Sequence, residues 1–351
     1  QINEDNGSTT VTATLKTESD LNVTVTLTLT GTAIKDKDYL LAEKIVILAG
    51  SLSGVVTLSA KADSLYEKDE TVIIDMACDA TCNEATPQQQ TVTIVDDEAI
   101  PTVTLSVSVE SKSINEGTGT TSTFVTSTLS AISGFDATVT LTTSGTATST
   151  VDFTLPLTIL IPAGSLSASV TLAAIDEPMD EDNETVVIDM TCDLDCTEFG
   201  SQQVTVTIIN DDLPPTATLS IGSASIHEDA AFGATTTDVT VTLNTKSSFD
   251  VKVTLATSGT ASANDFNLSS RNISIPAGST VGSVTLSGVA DIRDEKDETG
   301  VIDMTCDSKC LVNATSTPQT VTIIDDNPAP GVTLLIGNSR LDEDSGATTT
   351  T

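Results

Sequence analysis

The sequence predicts an all-β chain of tandem immunoglobulin-like sandwiches, each of seven strands in Greek-key order, and three observations carry that prediction. The composition suits strands: aromatics are 3% with no Trp, so the core rests on Val, Ile, Leu and Ala, of which the β-branched members fit a pleated surface. The chain repeats itself, with Cys78, Cys192 and Cys306 recurring at steps of 114 and each followed four residues later by Cys82, Cys196 and Cys310. Within a repeat, apolar and polar residues alternate with period two, as in Val139-Thr140-Leu141, Val170-Thr171-Leu172 and Val204-Thr205-Val206-Thr207-Ile208.

The repeat sets the domain organisation. Gly31-Thr32-Ala33 returns as Gly145-Thr146-Ala147 and Gly259-Thr260-Ala261, and Glu70-Thr71 returns as Glu184-Thr185 and Glu298-Thr299. Each repeat closes on an apolar strand and an acidic pair, Asp96-Asp97, Asp211-Asp212 and Asp325-Asp326. Repeats are therefore expected over 1–98, 99–212 and 213–326, with 327–351 as the start of a further one. The linkers Ala99-Ile100-Pro101, Leu213-Pro214-Pro215 and Asn327-Pro328-Ala329-Pro330 are short and rich in Pro, which makes stiff joints. The first repeat lacks the opening strand that the second has, while the tail supplies one at Val332 to Ile336 and then Leu341-Asp342-Glu343-Asp344. That phase shift is expected of a segment of a longer array, with strand donation between chains as the alternative.

In the middle repeat the expected strands lie near 102–109, 121–130, 137–143, 157–161, 166–174, 185–191 and 203–209. If each reverses direction, one pole collects the connections after the first, third and fifth strands and the exit after the seventh. The acidic residues Glu116, Asp152, Asp176, Glu177, Glu181, Glu184, Asp211 and Asp212 all fall on that pole. Carboxylates so gathered repel one another, and a hard cation such as Ca²⁺ takes six to eight oxygens from flexible loops. The competing reading is a solvated acidic surface in a protein adapted to salt.

The charge excludes other functions. Fifty Asp and Glu against 14 Lys and Arg give a net −36, which repels nucleic acid. No apolar run of about 18 residues is present to span a membrane, and the opening residues do not read as a signal peptide, which fits a processed or excised segment.

These residues resemble the Calx-beta domain family, known from the regulatory region of the sodium/calcium exchanger and from large microbial surface proteins. The resemblance rests on Ile-Asn-Glu-Gly at 114–117, Gly-Thr-Ala followed by Asp152-Phe153, Ile-Pro-Ala-Gly at 161–164, the acidic run from Asp176 to Glu184, and the closing Ile-Ile-Asn-Asp-Asp. It implies that a glutamate after the first strand, an aspartate after the third, the acidic run and the terminal aspartates hold calcium. The first repeat then offers Glu4, Asp38, Asp63, Glu67, Glu70, Asp96, Asp97 and Glu98, and the third offers Glu228, Asp265, Asp291, Glu295, Glu298, Asp325 and Asp326. Ala62 and Ala290 replace Asp176, and Lys68, Arg293 and Lys296 enter the run, so the outer repeats are expected to hold fewer ions.

The cysteine pairs lie at the opposite pole. One pair per repeat with no recurring His cannot build a four-ligand zinc site, so a local disulfide closing the turn is expected, with two free thiols as the alternative. Disulfides imply an oxidising, extracellular compartment. Asp79, Asp193 and Asp307, each after the first cysteine, read as turn residues, with an approach to the preceding repeat's calcium as the alternative, and the lone His227 reads as a surface residue. Six sequons, at Asn6, Asn22, Asn183, Asn267, Asn272 and Asn313, do not recur at equivalent places and leave glycosylation open. No nucleophile, base and orienter recur together, so no enzyme is expected.

The expected function is a non-catalytic extracellular stalk, adhesin or filament segment, stiffened by calcium and partnered by neighbouring repeats or identical chains. A calcium-sensing regulatory array is the alternative. A carbohydrate-binding module is disfavoured by the lack of aromatic platforms.

Overall fold

The computed structural model describes residues 1–84, 88–108 and 112–337. Every element in it is a strand. The first repeat holds β1 (Ile2–Asn3), β2 (Ser8–Thr14), β3 (Val23–Gly31), β4 (Tyr39–Leu40), β5 (Lys44–Ile47), β6 (Ser53–Ala60), β7 (Glu70–Cys78) and β8 (Gln89–Val95). The second holds β9 (Thr102–Val107), β10 (Ser113–Asn115), β11 (Ser122–Leu129), β12 (Ala137–Gly145), β13 (Phe153–Thr154), β14 (Thr158–Ile161), β15 (Ser167–Ala174), β16 (Glu184–Cys192), β17 (Thr197–Glu198) and β18 (Gln203–Ile209). The third holds β19 (Thr216–Ile221), β20 (Ser225–His227), β21 (Thr236–Leu243), β22 (Val251–Gly259), β23 (Phe266–Leu268), β24 (Asn272–Ile275), β25 (Val281–Gly288), β26 (Glu298–Cys306), β27 (Leu311–Val312) and β28 (Gln319–Ile324). The expected end of the opening strand at 109 and the tail element at 341–344 lie outside the described residues.

Two sheets face each other in each repeat. In the second they run β10-β18-β16-β12-β14 and β13-β15-β11-β9-β17, and the third repeats this order with β20-β28-β26-β22-β24 and β23-β25-β21-β19-β27. The alternation read from the sequence is the alternation of burial. In β12, Val139 and Leu141 enter the core while the intervening threonines face outward, and in β16 Val186, Ile188 and Met190 do the same.

The opening strand is not one strand but two. β9 pairs antiparallel with β11 in one sheet, and the chain then crosses to the other sheet, where β10 pairs parallel with β18 through Ile114↔Ile208 and Asn115↔Ile209. This crossing lands the following residue, Glu116, beside the exit of β18.

The recurring Gly-Thr-Ala has a backbone cause. Gly31, Gly145 and Gly259 end their strands at φ of 121°, 115° and 113°, where L side chains are strained. A Cβ at these positions would also lie 2.0, 2.2 and 2.1 Å from the carbonyl oxygens of Thr71, Thr185 and Thr299. Glycine thus lets the strand turn sharply toward the aspartate that follows it.

Contacts divide the chain into two compact units: residues 1–177 with 183–209, and residues 178–182 with 210 onward. The first unit contains two sandwiches. In the first sandwich β2 pairs with β6, whereas the equivalent β11 pairs with both β15 and β9. Beside β2 lies a cleft of about 870 Å³ lined in part by Thr12, Thr14, Cys78 and Cys82. In the tail, Val332, Leu334 and Leu335 are exposed. Among the described residues no helix is long and apolar enough to cross a membrane.

Candidate metal centre

Three backbone devices place the carboxylates. The parallel pairing of β1 with β8 ends in a hydrogen bond from the Glu4 N–H to the Val95 carbonyl at 2.9 Å, and the same bond from the Glu116 N–H to Ile209 measures 3.2 Å. The aspartate after the Gly-Thr-Ala turn of each sandwich turns back on its own loop: Oδ2 of Asp38, Asp152 and Asp265 accepts from the N–H of Ile34, Thr148 and Ser262, each at 2.5 Å. Glu70, Glu184 and Glu298 open β7, β16 and β26, opposite Ile94, Ile208 and Ile323 of the final strands.

The result in the first repeat is two adjoining acidic triads. Carboxylate oxygens of Glu4, Asp96 and Glu98 lie within 4.8 Å of one another, as do those of Asp38, Glu67 and Glu70. The triads are joined where the Glu67 N–H donates to Asp96 Oδ1 at 3.1 Å. In the second repeat, Asp152 and Glu184 sit equally close. The segment Pro178–Asp182, which carries Glu181, belongs by its contacts to the second compact unit.

Crowding of like charges on half-buried ground raises proton affinity. Burial pushes the Glu4 carboxyl up to about 7, with Asp63, Glu98 and Asp96 adding repulsion. Burial likewise pushes Glu70 up to about 7, reinforced by Asp38 and Glu67. Glu228 reaches about 7 through burial and then Asp291, Asp325, Asp326 and Asp265, which marks those acids as its neighbours in the third repeat.

The residues fit a hard cation. Glu98 Oε2, Glu298 Oε2 and Asp325 Oδ1 are buried and accept no hydrogen bond, a costly state for a carboxylate oxygen unless positive charge faces it. The donors at the pole are carboxylate oxygens, which suits Ca²⁺ better than a thiolate- or imidazole-seeking metal.

Several expectations require correction. Of the cations expected in the acidic run, Lys68 points away from the triads and lies 3.8 Å from Asp195 of the second repeat. The cation inside the first repeat's site is Lys37, 3.3 Å from Asp38 and 3.2 Å from Glu67. Arg293 does stay local, 3.3 Å from Glu295. The terminal acidic pairs are not equivalent as pairs: strand pairing aligns Val95, Ile209 and Ile324, so Asn210 takes the place of Asp96, and Asp212 and Asn327 take that of Glu98. Only the first repeat therefore has carboxylates at both exit positions.

The remaining candidates differ in exposure and bonding. Asp97, Asp176 and Asp211 are exposed and Asp212 and Glu177 half-buried, while the Asp63 N–H donates to Glu4 Oε1 at 3.2 Å and its own Oδ1 accepts from the Leu65 N–H at 2.7 Å. Asp291 similarly accepts from the Arg293 N–H at 2.7 Å, and Asp326 from the Asp229 N–H at 2.8 Å. His227 is half-buried in β20, not a surface residue.

At the opposite pole the cysteines are bonded as Cys78–Cys82, Cys192–Cys196 and Cys306–Cys310. The following aspartates are turn residues with a defined task. Asp79, Asp193 and Asp307 accept from the N–H of Thr24, Thr138 and Lys252 at 2.8, 2.7 and 3.0 Å, fastening the disulfide turn to the neighbouring long strand.

A family model described as the Calx-beta domain matches residues 1–98 and 101–213. The chain belongs to the Calx-beta domain family. Its third sandwich, beyond the matched residues, has the strand order of the second Calx-beta repeat. Among solved structures, the calcium binding domain CBD12 of CALX1.1 is similar at 15% identity over 59% of this chain and 95% of that one, with a TM-score of 0.27. The apo-form Calx CBD1 domain is 19% identical over 32% and 100%, with a TM-score of 0.28. Mouse cadherin-23 EC22-24 is 11% identical over 87% and 86%, with a TM-score of 0.25. A comparison with curated proteins finds no match.

Proposed function

We propose that this chain is a non-catalytic extracellular segment of a stalk, adhesin or filament, in which calcium at the acidic poles stiffens the joints between Calx-beta repeats. Membership of the Calx-beta family and the two oxygen-lined acidic triads support calcium as the cation. One observation carries the mechanical reading. The Glu67 N–H is bonded to Asp96, while the adjacent Tyr66 is bonded to the second repeat through the Gly134 N–H, which donates to the Tyr66 carbonyl at 2.9 Å. The acidic loop and the joint are thus one stretch of backbone. A bound cation would supply positive charge to both triads and so hold that loop in the place from which it grips the next repeat. The three disulfides support an oxidising compartment and so favour this reading over a cytosolic calcium sensor.

The test is small-angle scattering of the intact chain with calcium and with chelator. Stiffened joints predict a longer maximum dimension and a narrower set of conformations with calcium. Identical profiles, under conditions where calorimetry shows calcium bound, would leave binding without the mechanical role.

A further inference from the structure

The acidic loop of one repeat grips the next through the same backbone bridge twice, Tyr66↔Ser133 in the first compact unit and Asp180↔Ser247 in the second. In the first clasp the Tyr66 N–H donates to the Ile132 carbonyl at 3.3 Å. In the second the Ser248 N–H donates to the Asp180 carbonyl at 3.0 Å, and Thr245 Oγ1 donates to the Pro178 carbonyl. Ser133 and Ser247 are each 1% exposed. The backbone part of the clasp carries no information about which repeat is which.

The side chains do differ. Beside each bridge an aromatic ring, Phe135 or its equivalent Phe249, has a lysine over its face. Over Phe135 the cation is Lys68, 4.6 Å from the centroid, supplied by the preceding repeat's loop, and its anionic partner Asp195 comes from the disulfide turn of the gripped repeat. Over Phe249 the cation is Lys309, 3.2 Å from the centroid, and it comes from the disulfide turn itself, at the position that Asp195 holds in the first clasp. The loop there contributes acids: Asp182 stands in the place of Lys68, and burial raises the carboxyl of the 8% exposed Asp180 while the nearby charge of Lys309 opposes that rise. The same two positions hold the two signs of charge in opposite order.

We propose that this exchanged polarity of Lys68–Asp195 and Asp180/Asp182–Lys309 fixes the order in which the repeats grip one another. The first repeat's loop set on the third repeat's turn would bring Lys68 to Lys309. The second repeat's loop set on a turn like its own would bring Asp182 to Asp195. Both wrong pairings place like charges together over a joint whose backbone would otherwise accept them, which is discrimination by repulsion.

Single substitutions in the intact chain recreate the wrong pairings. Lys68→Asp opposes Asp195 with an acid, and Asp195→Lys opposes Lys68 with a cation. Hydrogen exchange at the Tyr66 and Gly134 amides reads the clasp directly, with the amides of β3 and β12 as controls for the sandwiches themselves. Each single variant should speed clasp exchange about two- to fivefold, the range of an exposed ion pair. The double variant Lys68→Asp/Asp195→Lys, which has the polarity of the second clasp, should return exchange to the parent rate, and added salt should shrink the single-variant effects. Single variants that exchange at the parent rate, or a double variant as fast as the worse single, would overturn the proposal.

Discussion

The backbone N–H of Glu67 is hydrogen-bonded to the side chain of Asp96, 3.1 Å away, although one lies in the loop before β7 and the other follows β8. That bond turns two acidic triads into one pole, so the stability of the pole and its affinity for a cation are linked.

Lys37 already neutralises part of that pole. Its amine lies 3.3 Å from Asp38 and 3.2 Å from Glu67, and Val151 and Asn264 stand near its place in the other repeats. Lys37→Met should raise the calcium affinity of the first repeat by about tenfold, or about 1.4 kcal/mol, while lowering metal-free stability. Calorimetric titration of the intact chain checks this, and an unchanged first-repeat affinity would mean that the amine swings clear when the cation binds.

Protons compete with the cation. The carboxyls of Glu4, Glu70 and Glu228 rise from an ordinary 4.5 to about 7 in the folded chain. A raised carboxyl binds protons better folded than unfolded, so its contribution to metal-free stability is complete below 4.5 and is lost as pH rises through about 7. Denaturant melts in chelator should therefore show stability falling between pH 4.5 and 7.5. With saturating calcium the fall should vanish or reverse, because the cation needs the deprotonated acids.

The cysteine pairs predict a local effect. Each bond spans four residues, so reduction should cost less than the ~3 kcal/mol of a 15-residue loop. Peptide mapping without reductant should return each pair within one peptide, and the turn aspartates Asp79, Asp193 and Asp307 should keep the turns in place after reduction.

The edge of β2 predicts a further binding partner for the first sandwich. In the second repeat Val103 and Leu105 of β9 fill the core opposite Leu129 and Ser127. A peptide of residues 331–337, whose Val332 and Leu334 match them in spacing, should seat beside β2 and slow exchange of its amides. Exchange that is unaffected by millimolar peptide would show that the edge does not accept such a strand.

The sandwich class and the repeat were legible because long strands with one buried face write a period of two into sequence, as β12 and β16 do. The two- and three-residue strands β10, β13 and β17 were not, since so short a run has no period and each is held by a distant partner. The pole was legible from loop order alone. What misled was local charge: Lys68 adjoins Glu67 in sequence, yet neighbouring side chains here point to opposite partners, Asp195 and the triad. The terminal Asp-Asp pairs misaligned for a related reason, because identity of letters is weaker than the ladder that pairs Asn3, Asn115 and His227 with the final strands.

The central claim is that a divalent cation completes the acidic pole, and thermal unfolding of the intact chain in calcium and in chelator tests it most directly. A ligand at about 100 times its dissociation constant adds roughly 2.7 kcal/mol. The account predicts a midpoint several degrees higher in calcium, an effect that magnesium reproduces poorly, and a smaller rise when Glu184→Gln removes one carboxylate from the middle repeat. A midpoint that is the same in calcium and in chelator would contradict it.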